Sequence, residues 1–249
     1  MALQKIAVCG SPGSGKTTIS IKLAKTILKR YKRPVMVVFA QDMGSPLTYA
    51  IGRKSEKGRS LGELITNPEI TNDEILDTMV LSKSEKDLAY LGYRVGESIK
   101  SYPDMSYEQV DEFYRRIAAM ADYIIIDTSN DFLTNLISSI ALEQSDTVLY
   151  VASGDVQGLA YTKSALPLIT SMTNTGPDRI LLNNVKNYPG IIDVAEQIRD
   201  VDYTLPYEVR LLEESMEGRM TADGPIVKKK RSFGYIMETI ASDIIIDIE

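Results

Sequence analysis

Residues 10–17 of this 249-residue chain read GSPGSGKT, set between the apolar run KIAVC and the helical pattern TTISIKLAKTILKRY. The spacing is GxxxxGKT in full, and the flanks are those it needs: a buried strand leads in and an amphipathic helix leads out, with Ile19, Leu23 and Ile27 on one face. Glycines let the backbone take positive φ and turn its amides inward, and the helix N-terminus adds partial positive charge. A loop of this kind, formed by Gly10, Ser11, Pro12, Gly13, Ser14 and Gly15, surrounds phosphate groups. Lys16 is then placed to reach the outer phosphates and the Thr17 hydroxyl to ligate magnesium.

Composition limits the chemistry available beside such a loop. There is no histidine, which removes Ser-His-Asp catalysis, histidine general bases and nearly every zinc hydrolase arrangement. The single cysteine, Cys9, excludes an internal disulfide and falls in an apolar strand, where it reads as a small packed hydrophobe. Carboxylates, lysine, hydroxyls, backbone amides and an oxygen-bound metal remain. A net charge of −6 argues against whole-protein nucleic-acid binding while leaving room for a local basic patch. No apolar run approaches the roughly 18 residues of a membrane span, and MALQKIAVCG leads into a strand rather than a signal peptide, so the expected location is cytoplasmic.

Beyond the loop, five further buried strands are expected within RPVMVVFAQD, ADYIIIDTS, DTVLYVAS, DRILLNNV and VDYTLPYE. Helical patterns lie between most of them, at about 107–120, 131–143, 159–172 and 191–199, and a last packed helix carries Phe233, Ile236, Met237 and Ile240. Apolar strands alternating with amphipathic helices imply an α/β fold, with a mostly parallel sheet covered on both faces. Residues 44–103 interrupt the alternation with a polar stretch, expected as a helical insertion. It has too few apolar residues for its own core, so residues 1–249 are expected to form a single domain.

A nucleotide and magnesium site also needs an acidic residue at the end of a neighbouring strand. Asp127, closing YIIID, is in that position, although an aspartate there also suits a helix cap.

The order of loop, AQDMG after the second strand, IIIDTS after the third, then LLNNV and LPYE...EESMEGRM resembles the MinD/ParA group of P-loop ATPases over nearly the whole chain. The resemblance implies a three-layer P-loop NTPase fold, ATP and Mg²⁺ as cofactors, and a homodimer. It places Gly13, Gly15, Lys16, Thr17 and Thr18 on phosphates and magnesium, and Asp127 near the metal. Asn183 corresponds to the adenine-reading asparagine, with Pro206 and Tyr207 bordering the base, and Asp42 to a switch aspartate that helps to place the attacking water. Asn183 alternatively serves a strand-end turn.

Two positions depart from the family pattern. Ala40 stands where many relatives carry a second aspartate, and Ser11 stands where their loop supplies a lysine that crosses the dimer to the partner's phosphates. Losing a charge clamp on a transferring phosphoryl group lowers the rate by powers of ten, so binding with slow hydrolysis is expected. Within the group, such atypical loops resemble the CpaE/TadZ branch, which localises pilus and secretion machinery; a protein partner at a membrane-associated machine would follow.

Other readings remain open at this level. The run Lys228–Arg231 suits either a solvated helix start or contact with DNA or an anionic membrane, which keeps DNA partitioning in play. A phosphoryl-transfer enzyme using Lys16 and Asp42 is a further alternative. One cysteine is too few for a metallocentre-insertion ATPase, and no C-terminal tyrosine cluster marks a tyrosine kinase.

Overall fold

Eight runs of the chain extend as strands: β1 Gln4–Gly10, β2 Val35–Phe39, β3 Val80–Leu81, β4 Leu88–Leu91, β5 Tyr123–Asp127, β6 Thr147–Ser153, β7 Arg179–Val185 and β8 Tyr203–Pro206. They form one sheet in the order β3-β4-β2-β5-β1-β6-β7-β8. All neighbours are parallel except β3 with β4. The structure is a computed structural model and describes residues 4–47, 60–173, 175–185, 196–198, 200–220 and 231–245.

The helices are α1 Lys16–Tyr31, α2 Leu61–Thr66, α3 Asn72–Thr78, α4 Tyr107–Ile117, α5 Leu136–Gln144, α6 Val156–Thr173, α7 Val209–Met216 and α8 Phe233–Ile244. Their ends are chemically marked. Thr71 with Glu74 and Ser106 with Gln109 close capping boxes at α3 and α4, and Asn135 and Ser232 cap α5 and α8. The last turn of α1 carries Lys29 and Arg30, which complement the negative end of the helix dipole.

Alternation along β1 explains the layers. Ile6 and Val8 face one core with Ile19, Leu23 and Ile27 of α1 and Met237 and Ile240 of α8. Ala7 and Cys9 face the other side, where Tyr150 and Ala152 of β6 meet Leu159 and Ile169 of α6. Beneath β2 and β5, Val38, Ile124 and Ile126 pack on Leu61, Val110, Phe113 and Ile137. Helices therefore cover both faces, as the uninterrupted apolar strands imply. Cys9 is fully buried and its thiol is pushed up to about 12 by burial, which makes it a packing residue.

The stretch expected as a helical insertion does hold helices, α2 and α3, but it also extends the sheet. β4 pairs in register with β2, Val35 with Leu88 through Val38 with Leu91, and Phe39 stacks on Tyr90 at a centroid distance of 6.0 Å. A helical description of 44–103 is incomplete for that reason. Two helix starts also differ from expectation: α5 begins at Leu136 rather than near 131, because Asn135 caps it, and α6 begins at Val156. The helix expected at 191–199 falls mostly outside the described residues, as do Lys228, Lys229 and Lys230. Among the described residues no helix is long and apolar enough to cross a membrane.

Candidate functional site

The chain runs from β1 to one side of the sheet, through β2, and later from β5 across β1 to β6 on the other, so the order reverses at β1. A crevice at the carboxyl ends of strands flanking such a reversal is where open α/β sheets bind ligands. The GSPGSGKT loop leaves β1 at that point.

Its shape follows from three glycines with positive φ: Gly10 at 150°, Gly13 at 69° and Gly15 at 89°. The Ser11 amide donates to the Val151 carbonyl at 3.0 Å and the Ser14 amide to the Ser11 carbonyl at 3.2 Å, which folds the loop back on itself. Gly15 is the N-cap of α1, and the first helical bond runs from the Ile19 amide to the Gly15 carbonyl at 2.9 Å. The amides of Lys16, Thr17 and Thr18 therefore have no partner within the helix and open at its positive end. Pro12 and Gly13 form the exposed crest, Thr18 is half-buried, and the buried Ser14 hydroxyl has no partner.

Lys16 is only 6% exposed. Its amine donates to the carbonyls of Gly10 and Ser11, each at 3.3 Å, and to Asn130 Oδ1 at 2.5 Å. Burial lowers its pKa from the ordinary lysine value, and the nearby Asp127 charge opposes that shift. The Thr17 hydroxyl donates to Asp127 Oδ2 at 2.6 Å, and the Gln41 amide reaches both Thr17 Oγ1 at 2.8 Å and Asp127 Oδ2 at 3.0 Å. Asp127 Oδ1 is buried without a partner.

Burial pushes the Asp127 carboxyl up to about 6, against the lowering influence of the Thr17 hydrogen bond, the Lys16 charge and the Gln41 hydrogen bond. The folded-state pKa thus lies above the unfolded one. The ionised form destabilises the fold at pH 7, and that penalty fades as pH falls through 6 toward 4. About two pKa units correspond to about 3 kcal/mol. An oxygen that is buried, charged and unpartnered beside a threonine hydroxyl fits a divalent cation. Among the described residues no group of three or more acidic or thiol side chains is placed to hold a metal ion, so such a cation would take its other oxygens from phosphate and water, as magnesium does.

Asp127→Asn is accordingly expected to melt no lower than the native protein at pH 7. It removes the charge penalty and leaves one unmatched buried donor, worth about 1–3 kcal/mol. The same variant is expected to bind nucleotide equally with and without magnesium. Thermal melts paired with titrations in magnesium and in a chelator check both effects; a lower melting temperature together with intact magnesium dependence would contradict the assignment.

The remaining sequence-selected residues divide. Asp42 lies beside the site, but its carboxylate is held by Ser129 Oγ and by Asn135 Nδ2 at 2.6 Å, so its oxygens are already engaged. Ser11 is fully buried, with Oγ 3.3 Å from Ser153 Oγ and accepting the Ser153 amide at 3.1 Å; its side chain braces β6. Asn183 is buried and donates to the Ser14 carbonyl at 2.7 Å, so it buttresses the loop from β7. Pro206 and Tyr207 stand at the end of β8, where Pro206 pairs with Val185, two residues past Asn183.

Gln41, Asn130 and Asn135 escaped the sequence reading. They are neutral amides outside any motif spacing: Gln41 is next to Asp42 and Asn130 follows Asp127 closely in strand-end loops, while Asn135 signals only a helix cap. A groove of about 400 Å³ lies behind Asn130, walled by Phe132, Leu133, Tyr161, Ala165 and Leu168. A larger cavity of about 960 Å³ opens elsewhere, between α1, α7 and the start of α8, and none of its wall belongs to the phosphate loop.

Fold and loop together define a P-loop nucleotide-binding architecture. The family model for the AAA domain (AAA_31) matches residues 4–175, and the chain belongs to that family. No curated protein matches the sequence. Among solved structures, the ParA family ATPase from Chlorobium tepidum TLS superposes with a TM-score of 0.76 at 17% identity, over 97% of this chain and 98% of that one. A chain of the MinC:MinD cell division protein complex of Aquifex aeolicus is similar, with a TM-score of 0.75 at 16% identity over 99% and 98%. The septum site-determining protein MinD complexed with Mg-ADP from Pyrococcus horikoshii OT3 has a TM-score of 0.70 at 16% identity over 97% and 95%. At these identities the likeness is one of fold: an eight-stranded, mostly parallel sheet with helices on both faces, shared with ParA and MinD ATPases.

Proposed function

We propose that this chain is an ATP- and magnesium-binding switch of the MinD/ParA kind that hydrolyses ATP slowly and signals through a nucleotide-dependent homodimer. The observation that carries the reading is the Lys16, Thr17 and Asp127 constellation at the positive end of α1, with Asp127 Oδ1 buried and unpartnered. In it, the loop amides and Lys16 bind the phosphates, and Thr17 and Asp127 hold magnesium. Magnesium held there would neutralise phosphate charge. Asn183, Pro206 and Tyr207 border the base.

Slow turnover is supported by what the site lacks among its described residues. Ala40 offers no carboxylate, Asp42 is tied to Ser129 and Asn135, and Ser11 turns into the β6 contact where a charged side chain would serve a partner. Without a clamp across the dimer, binding energy rather than turnover carries the signal. The atypical loop suits a positioning protein for pilus or secretion machinery, recruited to it by a protein partner.

The test is molecular mass by light scattering with magnesium and, in turn, no nucleotide, ADP and ATP, while phosphate release is followed. ATP is expected to double the mass, with turnover on the order of 10⁻⁴–10⁻² per second, the range of P-loop hydrolases that act without a partner's cation. A monomer in every condition with rapid turnover would instead indicate a phosphoryl-transfer enzyme.

A further inference from the structure

Two side-chain amides from different loops fill the polar seats of this site. Asn130 follows β5 and presents Oδ1 to the Lys16 amine at 2.5 Å, an oxygen acceptor where a phosphate oxygen would be met. Gln41 follows β2 and sets Nε2 against Thr17 Oγ1 and Asp127 Oδ2, at 2.8 and 3.0 Å, a positive hydrogen-bond donor where a cation would be met. The amide orientations are dictated by their partners. An ammonium group accepts nothing, so Asn130 must offer its oxygen, and a carboxylate at Asp127 donates nothing, so Gln41 must offer its nitrogen. The Thr17 proton goes to Asp127, which leaves its lone pair for Gln41.

We propose that Gln41 and Asn130 form an internal stand-in for a magnesium-bound phosphate: their amides occupy the hydrogen-bonding partners that nucleotide and magnesium need, closing the site on itself until nucleotide displaces them. The inference rests on reading the loop as a nucleotide site. It assigns the two residues a positioning role: each acts by occupying the partner of Lys16 or of Thr17 and Asp127. The Asn130 backbone carbonyl accepts a hydrogen bond from the Tyr161 hydroxyl of α6, which fixes the loop while its side chain remains free to leave Lys16.

The stand-in is weaker than what it replaces. A neutral amide offers partial charges, whereas phosphate and magnesium offer full ones, and hydrogen bonds with two charged partners are the strong kind. Closure therefore lowers nucleotide affinity without preventing binding, by the share of molecules held closed.

The experiment uses the full chain, a fluorescent ATP analogue titrated with and without magnesium, and acetylation of Lys16 by N-hydroxysuccinimide acetate followed by mass spectrometry in the absence of nucleotide. Asn130 is exposed, so Asn130→Ala leaves the core intact. It is expected to bind the analogue about tenfold tighter, the worth of one hydrogen bond to a charged group, and to acetylate at Lys16 faster. Gln41→Ala is expected to lower the magnesium concentration for half-maximal effect by about tenfold. Asn130→Asp, which gives the amine a full negative partner, is expected to acetylate more slowly and bind more weakly. Unchanged or weaker binding in Asn130→Ala, or unchanged Lys16 acetylation, overturns the proposal. If the native protein binds no analogue at all, the nucleotide reading fails, and the acetylation rates still decide whether Asn130 holds the amine.

Discussion

Lys16→Ala is expected to weaken ATP binding by roughly a thousandfold while leaving a folded protein. The amine makes three hydrogen bonds, to two loop carbonyls and to Asn130. Exchanging Asn130 for phosphate oxygens leaves two or more charge-assisted bonds in the complex, each worth about 1.5–3 kcal/mol, and a total of about 4 kcal/mol is a factor near a thousand. The loop amides and the end of α1 still attract anions, so residual binding in the millimolar range is expected. Lys16→Arg is not expected to rescue. At 6% exposure, with loop carbonyls at 3.3 Å, the position admits a compact ammonium, and a planar guanidinium carries its donors too far apart. Calorimetric titration with ATP and magnesium, with circular dichroism to show that the variants fold, measures both. Affinity retained within tenfold in Lys16→Ala would mean that this loop does not hold the outer phosphates.

How much of this was readable in advance depended on whether the signal was local. Six strands and the loop between β1 and α1 were legible because each is a run of adjacent residues with its own period. β4 was not, because four residues, Leu88–Leu91, flanked by Asp87 and Gly92, look like part of a polar loop until β2 supplies the partner edge. The early start assigned to α5 failed for a related reason. The apolar pattern reaches back to Phe132 and Leu133, but Asn135 takes the cap position and frees 128–134 as loop.

The site divides along the same line. Lys16, Thr17 and Asp127 carry motif spacing or strand-end placement that survives without a structure. Gln41 and Asn130 carry neither, and they meet only because β2 and β5 are neighbours whose carboxyl ends share a side of the sheet. Asp42 shows the converse: a carboxylate placed by its order along the chain, whose hydrogen bonds to Ser129 and Asn135 no sequence pattern announces.

The first glycine of the loop is expected to matter for folding more than for phosphate. A Cβ at Gly10 would fall 2.0 Å from the Val151 carbonyl oxygen, with the Val151 carbon and nitrogen at 2.7 and 2.8 Å. All three are backbone atoms of β6, a central strand, so no side-chain rotation relieves the clash. Gly10 is in register with Val151, and the next residue, Ser11, donates to that same carbonyl. Making room means parting β1 from β6 and losing that bond, at a backbone conformation, φ of 150°, that disfavours any side chain. A penalty above about 4 kcal/mol belongs to the exceptional class of single substitutions and is a large share of the roughly 5–15 kcal/mol that holds a domain together. Gly10→Ala is therefore expected to be largely unfolded at 25 °C or to lose a third or more of its urea midpoint. Gly13→Ala is the contrast. Its φ of 69° is also left-handed, but nothing lies within 4 Å of the added carbon, so only the conformational penalty of about 1–2 kcal/mol applies. That variant is expected to fold and to bind nucleotide less well, because a backbone that leaves positive φ turns its amides off the phosphates. Urea unfolding of the two variants separates the cases, and a Gly10→Ala midpoint close to that of Gly13→Ala would show that the ends of β1 and β6 part easily. The first glycine would then be as free of the sheet as the second, whereas the geometry ties Gly10 to β6 and leaves Gly13 in open space.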